Sequence, residues 1–372
     1  MESRRESLAE GVGRLLPARV IDAPVLALEK TIGRVLITGG AGFIGSRLAW
    51  RLLARGREVV VLDNLSRRGS EENLAWLETS EVGSLRFMRG DVRSREDVDR
   101  ASAGSDAIVH LAGQVAVTTS LEDPIGDLEH NVLGTVNVLE AARRVARPRL
   151  VIYASSNKVY GALADVRVEA RETRYELLDL PWGIPETMPV NPTSPYGCSK
   201  CAGELYALDW WRVFEVPTVV FRQSCIFGPN QWGSEDQGWT AWFAGRALRK
   251  EPVTIFGDGR QVRDLLYVED LIDAYELALA DPRLVVGKAY NLAGGPQRAV
   301  SVWYEFGTLL ESLLGHPLDA RFGPWRAGDQ RVAVLDIRRI ESELGWMPRT
   351  SVEDGVRHML EWLARGPGAA PE

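Results

Sequence analysis

Short β-branched runs alternate with longer segments of helical apolar spacing from residue 34 onward. The predicted strands are 34–38, 58–62, 85–88, 107–111, 149–154 and 217–221, and the predicted helices among them are 43–55, 94–103, 128–146 and 197–214. Continuous apolar strands separated by helices are typical of a parallel sheet that is covered on both faces. Since crossovers between parallel strands are right-handed, we expect an α/β fold with a Rossmann-type, doubly wound parallel sheet.

The composition and the apolar pattern of the chain change twice, which predicts three parts. Residues 1–33 mix arginine, glutamate and short apolar pairs, and they form either a partly ordered extension or an arm that packs on a partner subunit. Residues 34–222 carry the alternating pattern of the Rossmann domain. Residues 223–372, richer in glycine, proline and tryptophan, form a smaller, interleaved C-terminal lobe. Its helices are predicted at 268–281, 301–314 and 352–364, and a strand near 288–292 should return to the main sheet.

Composition excludes several classes of protein. The 372 residues allow two domains, and 44 basic against 51 acidic residues give a net charge of −7, which argues against a nucleic-acid partner. No apolar run approaches the roughly 18 residues of a membrane span, and the first residues lack the apolar core of a signal peptide. The three cysteines, Cys198, Cys201 and Cys225, do not indicate a disulfide framework, so we expect a cytoplasmic protein. The scattered histidines do not complete a metal site with the Cys-x-x-Cys pair.

A glycine-rich loop follows the first predicted strand. Gly39, Gly42 and Gly45 allow backbone N–H groups and a helix N-terminus to approach a pyrophosphate, where a Cβ would block the approach. Asp63 ends the second strand at the spacing expected for the acid that binds an adenosine ribose, which favours NAD over NADP. Arg67 weakens that preference because an arginine can accommodate a 2′-phosphate. The simpler interpretation makes Asp63 a turn residue.

Two further segments predict chemistry at the same sheet edge. Tyr196 and Lys200 are four residues apart and share one helix face, where the lysine cation would favour the tyrosine phenolate as a base for a sugar hydroxyl. Ser156 ends the fifth strand, at the crevice of a doubly wound sheet, and its hydroxyl would reach the reacting oxygen. Taken alone, the tyrosine motif also fits a plain helix start after Pro195, and the serine also fits a turn.

The order of these motifs resembles the extended short-chain dehydrogenase/reductase family, and within it the nucleotide-sugar epimerases and dehydratases, over about residues 33–365. The dehydratases have Thr-Asp-Glu where this chain has Ser156-Asn157-Lys158, so the acids for dehydration are missing. The stretches 156–161, 113–120, 194–200, 236–239 and 329–332, and the long segment between Ser156 and Tyr196, resemble the branch of CDP-tyvelose 2-epimerases (CDP-paratose 2-epimerases). That branch lacks an extension like residues 1–33.

The resemblance implies roles for individual residues. Ser156, Tyr196 and Lys200 would form the catalytic triad. The implied NAD site comprises Gly39, Gly42, Phe43, Ile44, Gly45, Asp63, Asn64, Ser66, Asp91, Val92, Leu111, Ala112, Gly113, Gln114, Asn131, Ser155, Tyr196 and Lys200. The implied substrate site comprises Gln114, Ser156, Asn157, Gln223, Trp239, Arg263 and Arg331. Arg263 would contact the diphosphate, and a surface salt bridge with Asp264 or Asp329 is the alternative interpretation. Trp239 and Trp242, with Trp232 ahead of them, would wall the sugar or base or pack in the core.

The expected activity is therefore inversion of C2 in a CDP-linked 3,6-dideoxyhexose or a related nucleotide sugar, by transient oxidation to a ketose with NAD and re-reduction. Residue chemistry alone predicts hydride transfer at a sugar carbinol, whereas C2 and CDP rest on the resemblance. A UDP-sugar 4-epimerase and a non-catalytic NAD-binding protein are the alternatives. The resemblance also implies a homodimer or higher homo-oligomer, formed through the helix of Tyr196 and the helix before it.

Overall fold

A computed structural model describes residues 32–80, 83–145 and 149–366. The predicted N-terminal extension, residues 1–33, lies almost wholly outside the described residues. Within these ranges, no helix is both long enough and apolar enough to cross a membrane.

A seven-stranded parallel sheet forms the centre of the fold, in the order β3-β2-β1-β4-β5-β8-β12. Its strands are β1 (Arg34–Thr38), β2 (Glu58–Asp63), β3 (Ser84–Arg89), β4 (Ala107–His110), β5 (Leu150–Ser156), β8 (Thr218–Gln223) and β12 (Lys288–Leu292). The order reverses between β1 and β4, which is the switch point of a doubly wound sheet and the usual place for a ligand. The predicted fold class is confirmed.

Helices cover both faces of this sheet. They are α1 (Phe43–Ala54), α2 (Ser70–Thr79), α3 (Arg95–Ser102), α4 (Val117–Glu122), α5 (Pro124–Leu128), α6 (Gly134–Arg143), α7 (Pro195–Phe214) and α9 (Val268–Ala280). Alternate strand residues point to opposite faces. Val35 and Ile37 of β1 accordingly belong to the core beneath α1, whereas Leu36 belongs to the core with α3, α6 and α7. Burial on both faces explains why the strands are apolar throughout.

The predicted helix at 128–146 is interrupted. A π-helical turn, Glu129–Leu133, separates α5 from α6, so one continuous helix was a wrong prediction. The turn carries Asn131, which is fully buried and whose side-chain amide donates to the Gln114 carbonyl and the Ser199 hydroxyl. Wide turns of this kind occur mostly near functional sites, and apolar spacing does not reveal them.

The C-terminal lobe holds the remaining small sheets and helices. Its strands are β9 (Cys225–Phe227), β10 (Val253–Phe256), β11 (Val262–Tyr267), β13 (Ala299–Ser301), β14 (Ala320–Gly323) and β15 (Val332–Ala333), and its helices are α8 (Trp239–Leu248), α10 (Phe306–Leu314), α11 (Arg338–Leu344) and α12 (Val352–Arg365). Strand β11 pairs with β9, β13 and β15. Strand β12 leaves this lobe and pairs with β8 of the central sheet.

A hairpin, β6 (Val168–Ala170) and β7 (Tyr175–Leu177), lies in the long segment between Ser156 and Tyr196. It docks on the C-terminal lobe, because the Tyr175 hydroxyl donates to Asp258 at 2.6 Å and Arg174 pairs with Glu305 at 2.5 Å. Its strands are only three residues long, which is why the sequence pattern does not predict them.

Candidate active site

A cavity of about 370 Å³ opens at the carboxyl edge of the central sheet, next to the switch point. Most of the predicted cofactor residues line it: Gly39, Gly42, Phe43, Ile44, Gly45, Asp63, Asn64, Ser66, Asp91, Val92, Leu111, Ala112, Gly113, Gln114, Ser155, Tyr196 and Lys200. Asn131 does not line it but lies behind the wall formed by Gly113 and Gln114. These residues come from the ends of five parallel strands and two helices, so the fold brings them together from distant parts of the sequence.

The glycine loop packs tightly between β1 and β4. Gly39 has a φ of +71°, and a Cβ there would lie 2.7 Å from the Ala112 nitrogen. A Cβ on Gly45 would overlap the Gly39 carbonyl oxygen, whereas a Cβ on Gly42 would meet only that oxygen, at 3.1 Å. Gly39 and Gly45 therefore serve the close packing of the loop, and Gly42 keeps the space above it open.

Asp63 holds the loop as well as facing the cavity. Its carboxylate accepts hydrogen bonds from the Ala41 N–H at 3.1 Å and the Leu65 N–H at 2.8 Å. Burial raises the pKa of Asp63 above its ordinary value, and these two hydrogen bonds oppose the rise. Asp91, at the end of β3, accepts hydrogen bonds from Asn64 at 3.0 Å and from the Arg93 guanidinium.

Helix α7 begins immediately before Tyr196, the predicted catalytic tyrosine. Ser194 caps it by accepting a hydrogen bond from the Gly197 N–H at 3.1 Å, and Pro195 occupies the first turn, where its missing N–H does no harm. Tyr196 and Lys200 follow at the spacing that places both on one face, and both are buried.

The Ser156 hydroxyl lies near the Tyr196 side chain, close enough to lower the pKa of that tyrosine. Ser156 is the last residue of β5, and its Oγ also accepts the Lys158 N–H at 3.2 Å, which fixes the hydroxyl at the strand end. The structure thus joins two predicted catalytic residues that are separated by a long stretch of chain.

Burial raises the pKa of Tyr196 above its ordinary value. The Ser156 hydroxyl and the positive charge of Arg67 oppose the rise, and the negative charge of Asp127 adds to it. Burial has the largest effect on the Tyr196 pKa, and Arg67 is a nearby charge that favours the phenolate. A positively charged nicotinamide ring would act in the same direction as Arg67.

Burial lowers the pKa of Lys200 to about 8, although the charges of Asp127 and Glu204 oppose the shift. The ammonium lies 4.5 Å from the ring centroid of Tyr153, which offers a cation–π contact. Nearby His110 is neutral, because burial and the Lys200 charge lower its pKa to about 3. It bridges the hydroxyls of Thr38 and Thr135 at 2.7 and 3.1 Å.

Two of the predicted site residues, Gln114 and Ser155, use their side chains for hydrogen bonds within the protein. The Gln114 side-chain amide folds back and hydrogen bonds with both backbone groups of Ala116. Ser155 donates to Glu204 at 2.7 Å, and Glu204 pairs with Arg222 at 2.5 Å, in a bridge whose side chains are 1% and 8% exposed. This bridge ties α7 to β5 and β8 beneath the catalytic residues.

The predicted substrate residues do not form one cluster. Gln223 lines the large cavity and donates to the Tyr275 hydroxyl at 2.5 Å, and the Asn157 amide lies 3.5 Å from the Ser224 hydroxyl. Arg263 pairs with Asp329 at 2.5 Å, as its alternative interpretation required. Trp239 packs against Phe243 and Phe306, consistent with a core residue at the start of α8. Arg331 lines a second cavity of about 320 Å³ between residues 162–168 and 329–332.

Several polar residues that line the large cavity were not predicted from the sequence: Ser70, Asn73, His130, Asn230, Gln231, Ser234 and Gln237. Arg67, Arg68 and Trp232 line it as well. Trp232 lies on Gly69, and its indole N–H donates to Asn73 at 3.2 Å, so it lines the same cavity as the predicted cofactor residues. At Gly69 a φ of +85° and the indole ring above it both exclude a side chain.

A doubly wound sheet with a glycine-lined cavity at its switch point defines a dinucleotide-binding α/β enzyme. The model of the NAD dependent epimerase/dehydratase family matches residues 35–293, and the chain belongs to this family. The predicted family resemblance, the enzyme class and NAD as the cofactor are thereby confirmed. The cavity fits NAD, because Gly42, whose missing Cβ would meet only the Gly39 carbonyl oxygen, lines it together with the carboxylate-bearing Asp63.

Individual relatives cover almost the whole described chain. CDP-paratose 2-epimerase from Salmonella typhi is 44% identical over 340 residues, which are 89% of this chain and 99% of that protein. The crystal structure of UDP-glucose 4-epimerase from Thermotoga maritima with UDP-glucose is similar with a TM-score of 0.77 and 31% identity, covering 89% of this chain and 99% of that one. UDP-glucose 4-epimerase from Thermus thermophilus, solved with NAD, gives a TM-score of 0.74 and 32% identity, with 89% and 99% coverage.

Proposed function

We propose that this enzyme inverts C2 of a CDP-linked 3,6-dideoxyhexose, or of a closely related nucleotide sugar. The observation that carries the proposal is the 44% identity to the Salmonella typhi CDP-paratose 2-epimerase along 99% of that protein. The site supports it, because Tyr196 lines the cavity with Ser156 near it, while Asn157 and Lys158 replace the two acids that dehydration needs.

The roles of the side chains follow from their positions. Tyr196, as the phenolate, accepts the proton of the C2 hydroxyl and later returns it. Ser156 donates a hydrogen bond to the oxygen on which charge changes, which stabilises it without reorganisation. Lys200 lies one helical turn beyond Tyr196 and supplies positive charge to the floor of the cofactor site. NAD, when bound, supplies reversible acceptance and return of the hydride.

The two parts of the chain would divide the binding between them. Residues 34–222 would hold NAD through the glycine loop, Asp63 and the strand ends, and residues 223–372 would mainly hold the nucleotide sugar through Arg263 and Arg331. Gln114, Asn157, Gln223 and Trp239 stay predicted substrate residues, and a sugar could reach Gln114 only after its amide leaves Ala116.

Product analysis tests the proposal directly. Purified enzyme incubated with CDP-paratose or CDP-tyvelose should give a mixture of the two, visible by proton NMR as a change in the coupling between H1 and H2. The Tyr196→Phe variant is the matched control, since it lacks only the hydroxyl that moves the proton. Absence of C2 inversion with both sugars would refute the assigned substrate.

A UDP-sugar 4-epimerase is the second candidate, favoured by the similarity to the Thermotoga maritima enzyme solved with UDP-glucose. The same assay with UDP-glucose distinguishes the two, because this candidate predicts UDP-galactose as the product. An enzyme active on both substrate classes would require comparison of their kcat/KM values.

A homodimer is the oligomer that the surface supports best. Exposed apolar side chains lie on α7 and on the helical segment before it, which runs from α4 to α6. They are Leu121, Ile125, Leu128, Leu133, Leu205, Val213 and Phe214. The two segments are neighbours, as the Trp210 N–H donates to Glu140 of α6 at 3.2 Å. An apolar patch of this kind marks an interaction surface. Free Cys198, Cys201 and Cys225 support a reducing, cytoplasmic location.

A further inference from the structure

Lys158 lies between the two catalytic elements. It belongs to the 3₁₀ turn Asn157–Tyr160 that follows β5, and its N–H donates to the Ser156 hydroxyl at 3.2 Å. On the other side its carbonyl oxygen faces Gly197 of α7, where a Cβ would lie only 2.9 Å away. The backbone of Lys158 is therefore fixed relative to both Ser156 and Tyr196.

The Lys158 side chain is only 20% exposed, and its ammonium makes no hydrogen bond with any residue in 32–80, 83–145 or 149–366. Its nearest ionic partner is Asp329, at 3.9 Å. The same carboxylate oxygen already accepts the Arg263 guanidinium at 2.5 Å. Two cations thus share one anionic oxygen, and within the described residues the Lys158 ammonium has no hydrogen-bond acceptor of its own.

This cluster carries a net positive charge in a largely buried position. Burial and the charge of Arg263 lower the pKa of Lys158 to about 8, while Asp329 opposes the shift. An anionic group placed between the two cations would accept hydrogen bonds from the ammonium and raise its pKa toward the ordinary value. Cys225, which lies close to the same pair, adds no charge while it is protonated, and burial raises its pKa.

The chemistry of a nucleotide sugar indicates which anion this is. The diphosphate is attached at C1, so a reaction at C2 takes place one carbon away from a phosphate. A reaction at C4 takes place across the ring from it. An enzyme acting at C2 therefore needs a cation close to its catalytic serine, and Lys158 is two residues from Ser156 in a rigid turn.

We propose that Lys158 and Arg263 form a two-cation clamp for the sugar-bearing phosphate of the substrate, and that this clamp places C2 of the sugar at Tyr196. The inference rests on the proposed reaction at C2. It assigns Lys158 a substrate contact that distinguishes this chain from enzymes with an acid at the same place.

Nucleotide binding to the NAD-loaded enzyme tests the clamp. CDP carries the phosphate in question and CMP lacks it, so both are titrated by calorimetry into wild type and Lys158→Gln. The variant should lose about 10- to 100-fold in affinity for CDP and keep its affinity for CMP, as expected for one charge-assisted contact. Lys250→Gln, at an exposed site after α8, is the matched control and should bind both nucleotides as wild type does.

Two further measurements keep the outcome clear. The Lys158→Arg variant should keep the preference for CDP over CMP. Retention of bound NAD and an unchanged melting temperature would show that the Lys158→Gln variant is folded. Unchanged CDP affinity in Lys158→Gln, or an equal loss for CDP and CMP, would overturn the clamp.

Failure of the proposed substrate gives a different pattern. If wild type prefers UDP to CDP, the cytidine assignment fails, and the comparison is repeated with UDP and UMP. The clamp still predicts a loss confined to the diphosphate. With an active nucleotide sugar, Lys158→Gln should raise KM by a similar factor and change kcat much less, whereas damage to the catalytic hydroxyls would lower kcat.

Discussion

The ammonium of Lys200 lies 4.5 Å from the ring centroid of Tyr153, enclosed by the catalytic helix and the central strand beside it. Burial lowers the Lys200 pKa to about 8 from its ordinary 10.5. Between these values the unfolded chain binds the proton more tightly than the folded chain does. The free energy of unfolding contributed by Lys200 should therefore rise with pH across this window.

The direction of this pH dependence can be measured with the Lys200→Met variant in NAD-free protein. From about pH 7.5 to about pH 9.5, wild type should gain roughly 2 kcal/mol more in free energy of unfolding than the variant, by urea titration. The exposed Lys250→Met variant should follow wild type. Parallel pH curves for wild type and Lys200→Met would contradict the buried position of the ammonium.

Tyr196→Phe should lower turnover by about 10²- to 10⁴-fold, because it removes the group that accepts the hydroxyl proton. NAD should stay bound, as measured by the absorbance of cofactor released on denaturation. Tyr206→Phe on the same helix, with a 42% exposed ring, should leave turnover unchanged. Normal turnover of Tyr196→Phe would show that another group is the base.

Alanine substitutions at two positions of the glycine loop should have different effects. Gly42→Ala adds a Cβ that meets only the Gly39 carbonyl oxygen, at 3.1 Å, so it should change the melting temperature little but lose bound NAD. Gly45→Ala adds a Cβ that overlaps that oxygen, so it should lower the melting temperature as well. Thermal unfolding and NAD content, measured together, distinguish them. Equal thermal damage from both substitutions would mean that Gly42 also serves packing.

Glu204→Ala should destabilise the protein by about 3 to 5 kcal/mol, because it leaves Arg222 buried without its partner. Glu353→Ala breaks the exposed pair with Arg357 and should cost at most about 1 kcal/mol. Urea unfolding of both variants gives the comparison. A loss near that of Glu353→Ala would show that water reaches Arg222.

If the protein is a dimer held by this apolar surface, a charged residue introduced there should convert it to a monomer. Ile125→Glu and Leu205→Glu, both at least half exposed, should each shift sedimentation to the mass of one chain. Leu284→Glu, equally exposed outside α7 and the helical segment before it, should leave the assembly intact. Wild-type protein that sediments as one chain would refute the dimer.

The sequence predicts most of the central sheet, because its strands are continuous apolar runs whose burial is dictated by position. The strand 34–38 has the predicted bounds, and the others differ by one or two residues at their ends. The chemistry of Tyr196 and Lys200 is also local, since one helical turn joins them. Gly69 and Lys158 derive their importance from Trp232 and Asp329, which are distant in sequence, so no local pattern could reveal it.

The hairpin at 168–177 gives the catalytic pair an unusual attachment. The chain that connects Ser156 to Tyr196 leaves the sheet, is fastened to the C-terminal lobe through Tyr175 and Arg174, and only then returns to α7. The backbone between Ser156 and Tyr196 is thus held at both ends by the central sheet and α7 and at its middle by Asp258 and Glu305. The relative position of the two hydroxyls therefore depends on contacts that lie outside the central sheet.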